Sequence, residues 1–178
     1  QPGHHPTAPD MIRVEGVCKS FGDKQVLNDI GAVFEAGMVN FIIGRSGSGK
    51  SVLTKCIVGL LEADSGSVTY DGEEFTAMST KEREVVRRQI GMLFQGGALF
   101  DSMTVLENVE FPLRMFGEMD AEERRERAMA CLKRVELEGA EHRFPAEVSG
   151  GMQKRVALAR AIVGRPKYLF CDEPNSGL

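Results

Sequence analysis

Gly44-Arg45-Ser46-Gly47-Ser48-Gly49-Lys50-Ser51 limits the fold of this chain more than any other stretch. It meets the pattern G-x-x-x-x-G-K-[ST] at every fixed position. Upstream, Met38-Val39-Asn40-Phe41-Ile42-Ile43 reads as a buried strand of a parallel sheet. Downstream, Val52 to Leu60 carries apolar residues at helical spacing. Strand, glycine loop and helix in that order grip the phosphates of a nucleoside triphosphate. Glycines let successive backbone N–H groups turn inward, and the helix N-terminus adds positive potential. Lys50 then sets its charge against the β- and γ-phosphates, and the Ser51 hydroxyl ligates Mg²⁺. A glycine-rich turn with a chance lysine is the plain alternative, and the flanking strand and helix count against it. The loop by itself does not separate kinases, GTPases, helicases and transport motors.

Two further segments narrow the choice. Tyr168-Leu169-Phe170-Cys171-Asp172-Glu173 is a short apolar run ending in two acids. An Asp at the end of such a strand holds Mg²⁺, and a Glu after it orients or deprotonates the attacking water. Alone, the run would be a buried strand with an acidic turn; the phosphate loop supplies the context for the other reading. Between the two lies Val148-Ser149-Gly150-Gly151-Met152, opening a helix with Val156, Ala159 and Val163 on one face. Ser149 caps that helix, and the two glycines admit a phosphate to its N-terminus. One nucleotide does not need two such cradles from one small domain. The economical reading is that the second serves a nucleotide held by another copy.

The motifs in this order resemble the nucleotide-binding subunit of an ABC transporter. Gly44 to Ser51 matches Walker A, and Gln95, after the strand-like run Ile90 to Phe94, matches the Q-loop glutamine. Ser149-Gly150-Gly151 matches the signature motif, and Phe170-Cys171-Asp172 with Glu173 matches Walker B and the catalytic glutamate. Phe21 lies where the family puts an aromatic that stacks on adenine. The resemblance runs from about Ile12 onward. It implies an α/β P-loop NTPase (RecA-like) with a parallel sheet core, an N-terminal antiparallel β-subdomain and an α-helical subdomain. It implies ATP, contacted by Phe21, Gly44, Arg45, Ser46, Gly47, Ser48, Gly49, Lys50, Ser51 and Val52 of one copy and by Ser149, Gly150 and Gly151 of another. Mg²⁺ would be held by Ser51, Gln95 and Asp172, with Glu173, Gln95 and Lys50 as catalytic residues. A head-to-tail homodimer closes over ATP, hydrolysis lets it part, and the motion passes to transmembrane permease subunits. The location implied is peripheral, on the cytoplasmic side of the inner or plasma membrane.

Phe94 to Val105, with Ser149 to Met152 and Asp172 to Leu178, also looks like the ATPases of lipid transport systems paired with MCE proteins, the Mla type that maintains outer-membrane lipid asymmetry. That narrower likeness implies lipid transport and an MCE-type lipid-binding protein in the same complex. Val148 and Met152 depart from the commonest Leu-Ser-Gly-Gly-Gln, and Phe21 replaces the more usual Tyr; the phosphate-facing groups and a π face are kept. The sequence stops at Leu178, before the family's D-loop aspartate and switch histidine, and none of His4, His5 and His142 takes the latter place. The expectation is therefore a piece lacking the last strands and helices, prone to associate and weak in hydrolysis.

The rest of the chain agrees. A net charge of −4 with no long basic run makes nucleic acid a poor partner. Cys18, Cys56, Cys131 and Cys171 are scattered and read as reduced packing residues. Residues 1–10 form a flexible leader and 11–178 the ATPase domain, with 97–147 a helical subdomain inserted. Ile12 to Val17 alternates as a strand with one wet face, and 25–30 and 32–34 suggest further antiparallel strands. Ser67 to Gly72 is a strand closed by an Asp-Gly turn. Capping boxes start helices at Ser79/Glu82, Thr104/Glu107 and Asp120/Glu123, and Pro112 interrupts or kinks the second. Ala128, Cys131, Leu132 and Val135 form the core face of the third. The charged runs 81–88 and 122–127 read as solvated faces, whereas Leu99, Phe100, Met103, Val105 and Leu106 are either local core or a partner groove. A soluble ABC ATPase of DNA repair, translation or iron–sulfur assembly is the rival class. The absence of a long heptad run and of a tandem cassette argues against it. A nucleotide-binding scaffold that never turns over is a third reading, opposed by the intact Asp172-Glu173 pair.

Overall fold

The computed structural model describes residues 11–94, 97–117 and 119–171. They fall into two compact units, one ending at Arg87 and the other starting at Arg88.

The first unit is built on an antiparallel sheet. Strands β1 (Met11–Phe21), β2 (Lys24–Glu35), β3 (Ser65–Tyr70) and β4 (Glu73–Glu74) lie in the order β2-β1-β3-β4. Alternation in β1 sends Ile12, Val14 and Val17 inward and leaves Arg13 and Glu15 exposed, as a half-buried strand requires. The two short strands expected over 25–34 are one continuous β2. The Asp71-Gly72 turn has positive φ at both residues, 53° and 88°, the primed turn that matches strand twist. Helix α1 (Lys50–Ile57) buries Leu53, Cys56 and Ile57. The Tyr70 hydroxyl donates to Ile57 O at 2.9 Å, and its ring meets Phe75 edge-on at 5.3 Å. Helix α2 (Thr80–Arg87) opens on the expected Ser79/Glu82 box and buries none of its residues. It is tied down by charge instead: Arg83 reaches Phe75 O, Thr76 O and Glu62, and Arg87 reaches Gly59 O.

The run 38–43 corrects the sequence reading. It is not a strand, and Val39, Phe41 and Ile43 are 80%, 79% and 92% exposed. Its composition suits a strand covered on both faces, but such a strand also needs hydrogen-bonded neighbours on its edges. No described strand pairs with it. Apolar content alone therefore did not make it a strand here.

In the second unit, β5 (Ile90–Leu93) pairs in parallel with β6 (Tyr168–Cys171), Ile90 opposite Tyr168. A Cβ on Gly91 would lie 2.3 Å from Ala161 O. Only glycine lets helix α5 (Gly150–Ile162) approach β5 so closely. β6 alternates between half-buried and exposed, with Leu169 45% exposed, instead of being buried throughout; one of its faces is uncovered among the described residues. Helices α3 (Val105–Phe116) and α4 (Ala121–Arg134) pack with α5 around Val105, Val109, Ala128, Leu132, Leu137, Val156 and Ala159. Both expected capping boxes are formed. The Thr104 N–H and hydroxyl hold Glu107 below the usual carboxylate range. That cap contribution is whole above the ordinary carboxylate pKa and is lost as pH falls through the lowered value. Pro112 does not interrupt α3, which runs through to Phe116; tertiary packing of Val109 and Leu113 outweighs one missing N–H.

The apolar cluster beside the Q-loop divides. Val105 and Leu106 are core, while Phe100 is 39% exposed and packs on Phe111 at 4.6 Å. Asn108, fully buried, bolts the preceding loop to α3. Its amide donates to Phe100 O, Met103 O and Thr104 O at 3.0–3.1 Å and accepts from Phe100 N at 2.9 Å. Asn108→Ala strands those groups and is expected to cost about 2–4 kcal/mol in urea unfolding. A loss under about 0.5 kcal/mol, the size of an ordinary surface substitution, would show that the bolt carries no load.

Candidate functional site

The phosphate loop forms where β2 and α1 meet. Gly49 caps α1 at φ 94°, and a Cβ there would sit 3.0 Å from Val26 Cγ1 and 3.1 Å from Leu27 Cδ2. A side chain is thus excluded twice, by the left-handed backbone and by β2. Gly47 is also left-handed, at 74°, so the chain curls between Arg45 and Ser48, whose N–H bonds Arg45 O at 3.2 Å. The Lys50 ammonium lies inside that curl, 2.9 Å from Gly44 O and 3.0 Å from Arg45 O. Three features of an anion cradle therefore coincide: a helix N-terminus with no side-chain cap, backbone turned by glycine, and a cation within the loop. Ser51 and Val52 occupy the first turn of α1. An open cavity of about 500 Å³ adjoins the loop, lined by β2 residues, by Phe41 and Ile43, and by Ser48, Gly49 and Lys50.

Phe21 ends β1, paired with Lys24 across the hairpin, and is 48% exposed. Two residues beyond Lys24 is Val26, the residue that backs Gly49. One hairpin thus carries the exposed aromatic and supports the loop. The Lys19 ammonium lies over the Phe21 ring, 5.7 Å from its centre.

The second cradle belongs to the other unit. Ser149 takes an extended conformation, and its hydroxyl accepts from Met152 N at 3.2 Å, capping α5 as expected. Gly150 and Gly151 are exposed, and a Cβ on Gly150 would meet nothing within 4 Å. Core residues Val156, Ala159 and Val163 hold the helix from behind. The first turn is therefore open to an anion from outside the unit.

Gln95, Asp172 and Glu173 lie outside the described residues, as do Gly96 and the segment after Asp172. The loop from Gly97, which follows Gln95 and Gly96 in sequence, is described, and it reveals residues that pattern reading missed. Arg160 of α5 donates to Gly97 O at 2.7 Å and Ala98 O at 2.9 Å, and its guanidinium lies over Phe100 at 5.6 Å. Burial lowers its pKa. An arginine between two alanines on a helix was the available signal, because a half-buried guanidinium needs acceptors. Ala98 adopts φ 44° there, a conformation rare without glycine. Among the described residues no cluster of His, Cys, Asp and Glu could hold a metal. The four cysteines are free, with burial raising the thiol pKa of Cys56 and Cys131. No described helix is long and apolar enough to cross a membrane.

Comparison with known proteins gives a consistent picture. The family model described as ABC transporter matches residues 27–176. The chain is 45% identical over 167 residues to the probable ribonucleotide transport ATP-binding protein mkl of Mycobacterium leprae (strain TN), covering 94% of this chain and 48% of that protein. It is 41% identical over 168 residues to the methionine import ATP-binding protein MetN of Legionella pneumophila (strain Lens), covering 94% and 49%. The chain spans about half the length of the curated relatives it matches. Among solved structures, the dimeric post-hydrolysis state of the ATP-binding cassette MJ0796 bound to ADP and Pi superposes with a TM-score of 0.83 at 37% identity, over 94% of this chain and 75% of that one. The cbiO1 subunit of the Clostridium perfringens complex cbiONQ gives 0.82 at 31%, over 96% and 68%.

Proposed function

This chain belongs to the ABC transporter family and has the α/β fold of its ATP-binding cassettes, and from that premise we propose that it binds and hydrolyses ATP to drive a membrane transporter. One observation carries the reading: Lys50 is already seated in the phosphate loop at the start of α1, against the hairpin that presents Phe21. In the proposed site Phe21 stacks on adenine, and Gly44 to Val52 hold the phosphates. The donor set suits magnesium, a hard cation that takes oxygen ligands. The Ser51 hydroxyl, the Gln95 amide oxygen and the Asp172 carboxylate are its proposed ligands, and the ion neutralises phosphate charge when bound. Glu173 takes the proton of the attacking water. Lys50 stabilises charge on the transferring group. Ser149, Gly150 and Gly151 of a second copy close the site, so the working unit is a C₂ dimer with two ATP molecules at its seam. That dimer sits peripherally on the cytoplasmic face of a membrane, on permease subunits.

The proposed cargo is a phospholipid or related lipid, with an MCE-type protein in the complex. Its support is the sequence of the loop at 94–105, the segment after the Q-loop where transport subfamilies differ. A ribonucleotide cargo is the second reading, favoured by the name of the mkl relative. The test is reconstitution with the co-purifying permease. Phospholipid vesicles of the host membrane's composition are expected to raise ATP hydrolysis severalfold and to exchange lipid when ATP is present. Stimulation by ribonucleotides with lipid movement unchanged would replace the lipid reading.

A further inference from the structure

We propose that Asp64 is a positioning residue for the nucleotide base: it fixes the end of β1 so that Phe21 presents its ring as a platform. The proposal rests on the adenine role given to Phe21 above.

The geometry is that of a sheet edge completed by a side chain. On one side, β2 pairs β1 to its end, with Lys19 opposite Leu27, Ser20 opposite Gln25 and Phe21 opposite Lys24. On the other side, β3 pairs β1 only as far as Cys18, opposite Ser65. The residue before Ser65 is Asp64, and its groups continue the ladder. Its N–H donates to Cys18 O at 2.9 Å. One carboxylate oxygen accepts from Ser20 N at 2.7 Å, and the other binds the Lys19 ammonium at 2.7 Å. The Lys19 side chain is only 16% exposed and lies over the Phe21 ring. One carboxylate thus holds the backbone of the residue before Phe21 and the cation seated on its ring. With one face of the ring covered by an ammonium, a base is directed to the other. The Lys19 and Ser20 bonds also lower the pKa of Asp64, so its charge persists through the neutral range.

The consequence is a split between the two halves of the nucleotide. Asp64 contacts no residue of the phosphate loop among the hydrogen bonds described, so its loss should weaken recognition of the base and spare the phosphates. The experiment is titration calorimetry with MgADP and with magnesium pyrophosphate, which lacks a base. Phe21→Leu and Asp64→Asn are each expected to weaken ADP about fivefold to tenfold, within the range of one base–aromatic stack, and to leave pyrophosphate within about twofold. Lys19→Met should act as Asp64→Asn does. The double variant Phe21→Leu/Asp64→Asn should be no weaker than Phe21→Leu alone, because both act on one contact. If Phe21→Leu weakens ADP while Asp64→Asn does not, the positioning role is wrong and the adenine role stands. If Phe21→Leu leaves ADP untouched, the adenine role falls and this proposal with it. Equal weakening of pyrophosphate by Asp64→Asn would show general damage to the fold and also overturn it.

Discussion

Lys50→Ala is expected to lower ATP hydrolysis by about 10²–10³-fold, the range found when one preorganised donor to a developing charge is removed. The structure predicts that this loss comes without unfolding. Lys50 makes two exposed hydrogen bonds to loop carbonyls, at Gly44 and Arg45; water screens an exposed charge, so interactions of that kind contribute about 1 kcal/mol or less. Alanine is also a better helix former at the start of α1. The kinetic loss has a direct cause. The carbonyls of Gly44 and Arg45 accept from the ammonium, and its removal takes away the cation proposed to stabilise charge on the transferring group. Phosphate release under steady state, with the thermal midpoint measured in parallel, checks both halves. Hydrolysis within about threefold of wild type would remove the loop from the chemistry. A midpoint lowered by more than about 4 °C, above the shift that 1 kcal/mol gives in a chain of 150–250 residues, would show that Lys50 is structural.

Much of this arrangement was legible in the residues, and the failures have physical reasons. Local signals were read well where neighbours within the same element decide the outcome. The Thr104/Glu107 and Asp120/Glu123 boxes close because cap and third residue meet within one turn. The face Ala128, Cys131, Leu132 and Val135 is buried because helical spacing puts it on one side. The Met38–Ile43 run failed because a strand is defined by partners elsewhere in the chain, which composition does not report. Of the two outcomes expected at Pro112, interruption did not occur, because the packing of Val109 and Leu113 holds α3 together across it. Arg160 and Asp64 escaped because each acts on backbone atoms far away in sequence, Arg160 on carbonyls 62 and 63 residues back, and Asn108 because its partners are main-chain groups of the loop just before its helix. A side chain that bonds main-chain groups leaves no partner residue type to search for. At the site, the phosphate loop and Ser149 cap were visible in advance because glycine, lysine and serine each have a backbone reason to stand where they do.

Mixing two inactive variants is expected to restore activity. The first is Lys50→Ala. The second is Gly151→Asp, in the first turn of α5. Gly151 is exposed, and its nearest neighbour to a new Cβ is Ser149 Oγ at 4.0 Å, so a side chain fits. The first turn of α5 holds no acid at present, and a carboxylate there stabilises a helix by about 0.3–1 kcal/mol through the macrodipole. Gly151→Asp should therefore fold at least as well as wild type while placing a negative charge where the proposed phosphate of the partner's ATP must approach. In the proposed C₂ dimer, each variant alone would carry a lesion at both sites. In a dimer of one Lys50→Ala copy and one Gly151→Asp copy, one seam joins the two lesions and the other joins two intact cradles. Random assembly makes half of all dimers mixed, with one working site of two, so about a quarter of wild-type hydrolysis is expected if the sites act independently. Were each nucleotide served by the cradles of a single chain, no mixture could recover, because every chain present carries a defect. Recovery that rises as the product of the two variant concentrations identifies the seam as the place of reaction; a mixture as inactive as its components, with mixed dimers verified by mass spectrometry, rules it out.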